Sequence, residues 1–264
     1  MLELKNISKT FNAGTVNEKV ALKNINLTLE DGDFVTIIGG NGAGKSTMLN
    51  AVAGTWLPDC GSVIVDGVDI TDMPEYKRAK FLGRVFQDPR MGTATDMWLE
   101  ENLAIAKRRG KSRTLRWAIT RKERDEYREM LKQLDLGLEH RLTTKMGLFS
   151  GGQRQAVTLL MATMNKPKLL LLDEHTAALD PKTAAKVLEL TDKFITEGKL
   201  TALRVTHNMK DAIAHGNRLI MMNAGQIILD IKGEEKKNLT VEMLLEQFSK
   251  ASGTEFMNDR ALLA

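Results

Sequence analysis

The chain has 264 residues, enough for a sizeable core in one or two domains of roughly 150 residues each. Apolar residues make up 42% and charged residues 27%, the balance of a soluble globular protein. The formal charge of +4 is too small to argue for nucleic acid, and the single cysteine, Cys60, excludes an intrachain disulfide and fits a reducing compartment.

The start, Met1-Leu2-Glu3-Leu4-Lys5, lacks the basic head and apolar stretch of a signal peptide. No run approaches the roughly 20 apolar residues of a membrane span, so any membrane role goes through a partner. Leu2 to Ile7 and Ala21 to Leu29 read as strands. Phe34-Val35-Thr36-Ile37-Ile38 reads as a buried strand that runs into Gly39-Gly40. A helix follows Ser46 through Leu49, Val52 and Ala53 and stops near Gly54 and Pro58. Gly61 to Ile70 alternates, with Asp66-Gly67 as a hairpin turn.

From about Thr95 to Leu142 the character turns helical and charged, with helices expected over Glu100 to Arg109 and Thr120 to Leu136. The charge run from Lys107 to Arg128 reads as a solvated helix face. Leu169 to Leu172, Thr201 to Thr206 and Leu219 to Met222 read as parallel strands. The helices Gln153 to Asn165 and Thr183 to Thr196 separate them. Such alternation predicts an α/β fold with a mostly parallel sheet. The tail after Gly233 carries one more helix near Val241 to Phe248 and a weak polar end.

Gly39-Gly40-Asn41-Gly42-Ala43-Gly44-Lys45-Ser46 has the spacing of a phosphate loop. Glycines let backbone N–H groups converge on phosphates, and the next helix adds its positive end. Lys45 can reach the β- and γ-phosphates, and the Ser46 hydroxyl can ligate Mg²⁺. Asp173, after four leucines, ends a buried strand, where α/β sheets place ligand-binding groups. It suits a Mg²⁺ carboxylate. Glu174 comes next, is expected on the opposite face of the strand, and suits a general base for the attacking water.

With Phe149-Ser150-Gly151-Gly152-Gln153 added, the chain resembles an ATP-binding-cassette (ABC) transporter ATPase over about residues 1 to 235, a phosphate-loop NTPase fold. The helical part, about 90 to 165, is then an insertion into that domain, beside an antiparallel β subdomain, and 236 to 264 is a short C-terminal extension. Phe149 stands where Leu is commoner. The resemblance implies that Ser150, Gly151, Gly152 and Gln153 of one subunit cap ATP held by its partner, in a head-to-tail homodimer or with a paired ATPase subunit. A helix start with free N–H groups is a suitable anion site. By the same resemblance Gln87 senses Mg²⁺ and water, and Ala178-Leu179-Asp180 crosses the dimer interface. His207 is the switch histidine at the γ-phosphate, and Phe11 stacks on adenine. Thr47 extends the phosphate loop. His175 occupies the place of a usual Pro and reads as a tolerated turn substitution. His140 and His215 read as ordinary residues.

The stretch Leu171-Leu172-Asp173-Glu174-His175-Thr176-Ala177-Ala178-Leu179-Asp180 resembles a bacterial subgroup of import ATPases for amino acids, aromatic ones among them. It implies ATP and Mg²⁺ as cofactors. It also implies transmembrane permease subunits, an extracytoplasmic solute-binding protein, no nucleic acid, and a place at the cytoplasmic face of the membrane. The permease contact is expected between Gln87 and about Leu103, through Met91, Met97, Trp98 and Leu99. An exporter subunit, or a soluble cassette acting on ribosomes or DNA, stays open as an alternative. A small-molecule phosphate-loop kinase leaves Ser150 to Gln153 unexplained.

Overall fold

The computed structural model describes residues 1–111 and 119–252. Part of the charged run, at 112–118, and the polar end, at 253–264, lie outside the described residues. Ten strands in two sheets carry the described fold. The first sheet is antiparallel, in the order β2-β1-β4-β5, from β1 (Leu2–Phe11), β2 (Lys19–Leu29), β4 (Cys60–Val65) and β5 (Val68–Asp69). β1 outruns its expected end, with register shifts between Leu4 and Thr10. The β4–β5 hairpin turns at Asp66 and Gly67, with φ of 53° and 75°. Two successive positive φ values are what the tightest hairpin turns require.

The second sheet has the order β10-β9-β3-β8-β7-β6. Its parallel strands are β3 (Phe34–Ile38), β6 (Leu82–Val85), β7 (Leu169–Asp173), β8 (Ala202–Val205) and β9 (Arg218–Asn223). Every residue of β3 is buried, as a central strand covered on both faces demands. One face carries Ile37, Leu171, Leu203 and Val205, packed with α1 (Lys45–Ala53) and the first sheet. The other carries Leu170, Leu172 and Ala202, packed with helices. This alternation is the period of two of a strand.

Two strands escaped the sequence reading. β6 holds Gly83 and Arg84, poor strand formers. Gly83 is required because a Cβ there would stand 2.5 Å from the Ala162 carbonyl. β10 (Gln226–Lys232) pairs antiparallel with β9 around Ala224 and Gly225, with φ of 45° and 79°.

The short α2 (Glu75–Arg78) precedes β6. Between β6 and β7 lie α3 (Leu99–Lys107), α4 (Arg121–Lys132) and α5 (Gly151–Thr163). Thr120 and Glu123 form a capping box for α4. The chain leaves it through Asp135 and Gly137 at positive φ, so the helix ends before Leu136. Leu103, Tyr127, Leu131 and Leu160 share one core with Leu170 and Leu172 of the sheet. The charged face of α4 is more than solvated. Arg124 bonds the buried Glu100 at 2.7 Å, Arg108 meets Glu123 at 3.0 Å, and Lys107 meets Glu126.

Asp180 caps α6 (Pro181–Gly198), with Pro181 at the first helical position. α7 (Met209–Ala214) follows β8, α8 (Glu234–Lys237) follows β10, and α9 (Val241–Ser252) closes a third cluster on Met209, Met221 and Ile231.

Candidate active site

The phosphate loop joins β3 to α1. Gly39 (φ 149°) and Gly44 (φ 102°) have conformations that side chains avoid, and both have no room for one. A Cβ would sit 2.2 Å from the Met222 carbonyl at Gly39 and 2.6 Å from the Ala21 carbonyl at Gly44. Gly40 faces open space. Ala43 spends its N–H on the Gly40 carbonyl at 3.2 Å. The N–H groups of Asn41, Gly42, Gly44, Lys45, Ser46 and Thr47 find no backbone acceptor among the described residues. These are the orphan donors of a helix start and its loop.

Lys45 is buried and folds back on the loop, donating to the carbonyls of Gly39 at 2.7 Å and Gly40 at 3.1 Å. Burial lowers its pKa, and the carboxylates of Glu174 and Asp173 oppose that shift. The Ser46 hydroxyl donates to Asp173 Oδ1 at 3.3 Å. Burial pushes the Asp173 carboxyl up, while Arg84 and the Ser46 bond hold it down. Two neighbouring corners of a Mg²⁺ octahedron with bonds of about 2.1 Å stand about 3 Å apart, so this hydroxyl–carboxylate pair fits one edge. Among the described residues no cluster of three or more His, Cys, Asp or Glu could hold a metal alone. Phosphate oxygens and water suit the remaining corners.

Glu174 has φ 43°, a left-handed conformation that costs a non-glycine residue about 1–2 kcal/mol. Its N–H donates to the Val205 carbonyl at 3.1 Å. The strand therefore turns at Glu174, where alternation had suggested a simple step to the opposite face. The turn brings three distant residues together. Glu174 Oε2 lies 3.5 Å from Gln87 Nε2 and 3.6 Å from His207 Nδ1. Gln87 follows β6, and the Phe86 carbonyl beside it accepts from Gln155 of α5 at 3.0 Å. His207 follows β8, parallel to β7 with Asp173 opposite Val205.

Ser150 to Gln153 form a separate patch. Ser150 caps α5, accepting from the Gln153 N–H at 3.2 Å, while Gln153 Oε1 accepts from the Ser150 N–H at 3.1 Å. Phe149 is buried in the helical core, so an aromatic ring fills the leucine place without disturbing the cap. A Cβ on Gly152 would stand 1.9 Å from Thr183 Cγ2, whereas one on Gly151 meets only Leu179 at 3.6 Å. The signature thus packs on the Leu179–Thr183 segment of its own chain. Asp180 accepts from the Thr183 N–H at 3.1 Å.

Phe11 ends β1 opposite Lys19, and its ring meets Trp56 edge-on at 5.3 Å. Trp56, Lys19 and Arg84 were not singled out in the sequence. Lys19 Nζ reaches within 3.4 Å of where a Cβ on Gly42 would be.

One expectation is corrected. Leu99 is fully buried in the helical core, so it cannot meet a permease, whereas Met91 and Trp98 are 70% and 43% exposed. His175 stands in a turn, as expected, with its side chain turned inward. It is 1% exposed and bonds Thr191 of α6 at 3.0 Å. His140 is exposed as expected, and His215 pairs with Asp192 at 2.6 Å.

A phosphate loop, a strand-end Asp-Glu pair, and a helix-capping Ser-Gly-Gly-Gln on a two-sheet α/β frame define a nucleotide-hydrolysing cassette. The ABC transporter family profile matches residues 22–177, and the chain belongs to that family. It is an ATP-binding subunit of a transporter and an ATPase. It is 45% identical over 251 residues to the tyrosine transport ATP-binding protein of Clostridioides difficile, covering 95% of this chain and 100% of that one. A methionine import ATP-binding protein of Enterococcus faecalis is 34% identical, covering 94% of this chain and 76% of the relative. A dimeric ATP-binding cassette in a post-hydrolysis state with ADP and phosphate superposes with a TM-score of 0.75 at 32% identity. That match covers 88% of this chain and 98% of the other.

Proposed function

We propose that this subunit powers a bacterial importer for an amino acid or a related compound, aromatic ones included. Two copies, or one copy and a paired subunit, close head-to-tail on two ATP at the cytoplasmic face of the membrane. Permease subunits carry the solute, and an extracytoplasmic binding protein delivers it. Among the described residues no helix is long and apolar enough to cross a membrane. The relatives named for tyrosine transport and methionine import support the substrate class.

The observation that carries the mechanism is the division of the site. Lys45, Ser46, Asp173, Glu174, Gln87 and His207 converge beyond the carboxyl ends of the parallel strands, while Ser150 to Gln153 form a second anion-suited helix start. In this reading, Gly39 to Thr47 cradle the phosphates and Phe11 stacks on the base. Lys45 leaves its two carbonyls for the β- and γ-phosphates. Ser46, Asp173 and Gln87 would hold Mg²⁺, which would supply charge neutralisation on the phosphates. Glu174 takes a proton from water, and His207, 3.6 Å away, orients that carboxylate beside the γ-phosphate. Ser150, Gly151, Gly152 and Gln153 of the partner copy donate from the other side, and Asp180 lies beside that contact.

A groove of about 470 Å³ lies between the sheet and the helical part, lined by Met91, Thr93, Ile105, Arg109, Thr158 and Met161. Its exposed methionine and isoleucine suit a permease helix. The test is co-purification of the tagged chain with its membrane partner, then ATP hydrolysis in vesicles with a panel of amino acids. Stimulation by one amino acid class, lost in Met91→Glu, supports the reading. A partner that is ribosomal, or no response to any amino acid, refutes it.

A further inference from the structure

Residues 12–18 join β1 to β2, and the feet of that turn are Phe11 and Lys19. The two feet pair directly across the strands, so their side chains share one face. Local bonds close the turn. The Thr15 N–H donates to the Asn12 carbonyl at 3.1 Å, and the Glu18 carboxylate folds back to accept from the Gly14 N–H at 2.7 Å.

The second strand of the pair is tied to the phosphate loop. The Lys23 N–H donates to the Gly225 carbonyl at 2.8 Å, and the Gly225 N–H donates to the Ala43 carbonyl at 3.0 Å. The Ala21 carbonyl packs so close to Gly44 that a Cβ there would stand 2.6 Å away. Lys19, at the start of this strand, lays its ammonium on the same loop. Its Nζ lies 3.4 Å from the place a Cβ on Gly42 would take.

That ammonium has no counter-charge. The Lys19 side chain makes no hydrogen bond or ion pair among the described residues. Lys9, the other cation beside the Phe11 ring, is held by Asp59 at 2.6 Å. The N–H groups of Asn41, Gly42 and Gly44 also lack backbone acceptors among the described residues. Each such N–H carries partial positive charge, so a cation resting on them sets like beside like. An anion on the loop turns that repulsion into attraction from both sides.

The inference rests on the nucleotide seat proposed above, with the base on Phe11 and the phosphates on Gly39 to Thr47. A nucleotide runs from base through ribose to the α-, β- and γ-phosphates. Lys19 stands beside Phe11 and touches the loop, so it approaches from the base side. The γ-phosphate is directed to Glu174 and His207. We propose that Lys19 pairs its ammonium with the α,β-diphosphate of the nucleotide on its own chain's loop, as a binding residue that serves ATP and ADP equally. Lys45 and Lys19 then divide the phosphate chain between them. A compact charge on a flexible stem can follow the diphosphate as it shifts, and it still holds ADP once the γ-phosphate has left. The contact is the same in substrate and transition state, so it strengthens binding without lowering the chemical barrier.

Lys19→Met keeps the stem without the charge, and Lys19→Arg keeps a charge. Calorimetry on the full chain without Mg²⁺, where ATP is not turned over, reads ATP and ADP binding. Lys19→Met is expected to raise both Kd values by the same factor, roughly 3–20-fold, and to make them less dependent on salt. In ATP hydrolysis KM is expected to rise by a like factor, with kcat changed by less than about twofold. Lys19→Arg is expected to bring both Kd values to within about threefold of the natural protein. Lys45→Ala is measured in parallel. Unchanged Kd values in Lys19→Met beside weakened binding in Lys45→Ala overturn the proposal. A loss confined to ATP overturns it too, as does an equal loss in Lys19→Arg and Lys19→Met. Unchanged binding in Lys45→Ala overturns the nucleotide seat itself instead.

Discussion

Gly152→Ala is the sharpest test of how the signature is seated. The new methyl would stand 1.9 Å from Thr183 Cγ2, 3.3 Å from its Cβ and 3.7 Å from its Oγ1. Carbon atoms settle at about 3.5–4.0 Å, so roughly 2 Å of movement is needed, by Thr183 or by the start of α5. Overpacking of this kind costs about 1–3 kcal/mol, which lowers the melting midpoint by roughly 2–12 °C for a domain of this size. Thr183→Ser removes the single offending carbon and keeps the hydroxyl. The double variant Gly152→Ala/Thr183→Ser is therefore expected to regain most of the lost stability, read by thermal or urea unfolding. ATP hydrolysis by the double variant then reports on the anion site alone, because alanine keeps the N–H. Full stability in Gly152→Ala, or no rescue by Thr183→Ser, would refute the steric account.

Glu174→Gln is expected to retain ATP binding and lose about 10²–10⁴-fold in hydrolysis, the span of general-base catalysis. Light scattering would then show an ATP-trapped dimer, and a monomeric, active variant would sink the assignment. Lys45→Ala is expected to weaken ATP binding itself, since the residue's two carbonyl contacts are the only ones it makes without nucleotide among the described residues. Calorimetry with unchanged affinity would contradict its phosphate role. Lys236 has its pKa pushed down to about 8 by burial, with Arg204 adding to the shift. Between about pH 8 and the ordinary lysine value near 10.4, the unfolded chain binds the proton more tightly than the folded one, so stability rises with pH there. Lys236→Met leaves three carbonyls unpaired, and its deficit against the natural protein is expected to widen as pH climbs from 8 to 10 in unfolding titrations. A deficit that shrinks over that range would reverse the sign argument.

The legible parts of this protein are those written in consecutive residues. Gly39 to Ser46 specify a loop because their glycines take conformations and approaches that other residues cannot. Ser150 and Gln153 specify a helix start because a capping box is local chemistry. The buried run at Leu169 to Leu172 marks a central strand for the same reason. β6 and β10 were obscured because Gly83, Arg84 and a polar-edged run owe their strand form to neighbours, not to propensity.

Sequence alone determined the phosphate loop, the Asp173–Glu174 pair, the signature and, through them, the family. Tertiary structure decided what meets what. The register of β6, β7 and β8 brings Gln87 and His207 to one carboxylate across separations that no local pattern encodes. It turned Leu99 inward and left Met91 outside. It also buried His175 against Thr191. Side-chain direction and burial depend on which distant element packs over a position, and that is settled only when the sheet and helices close on one another.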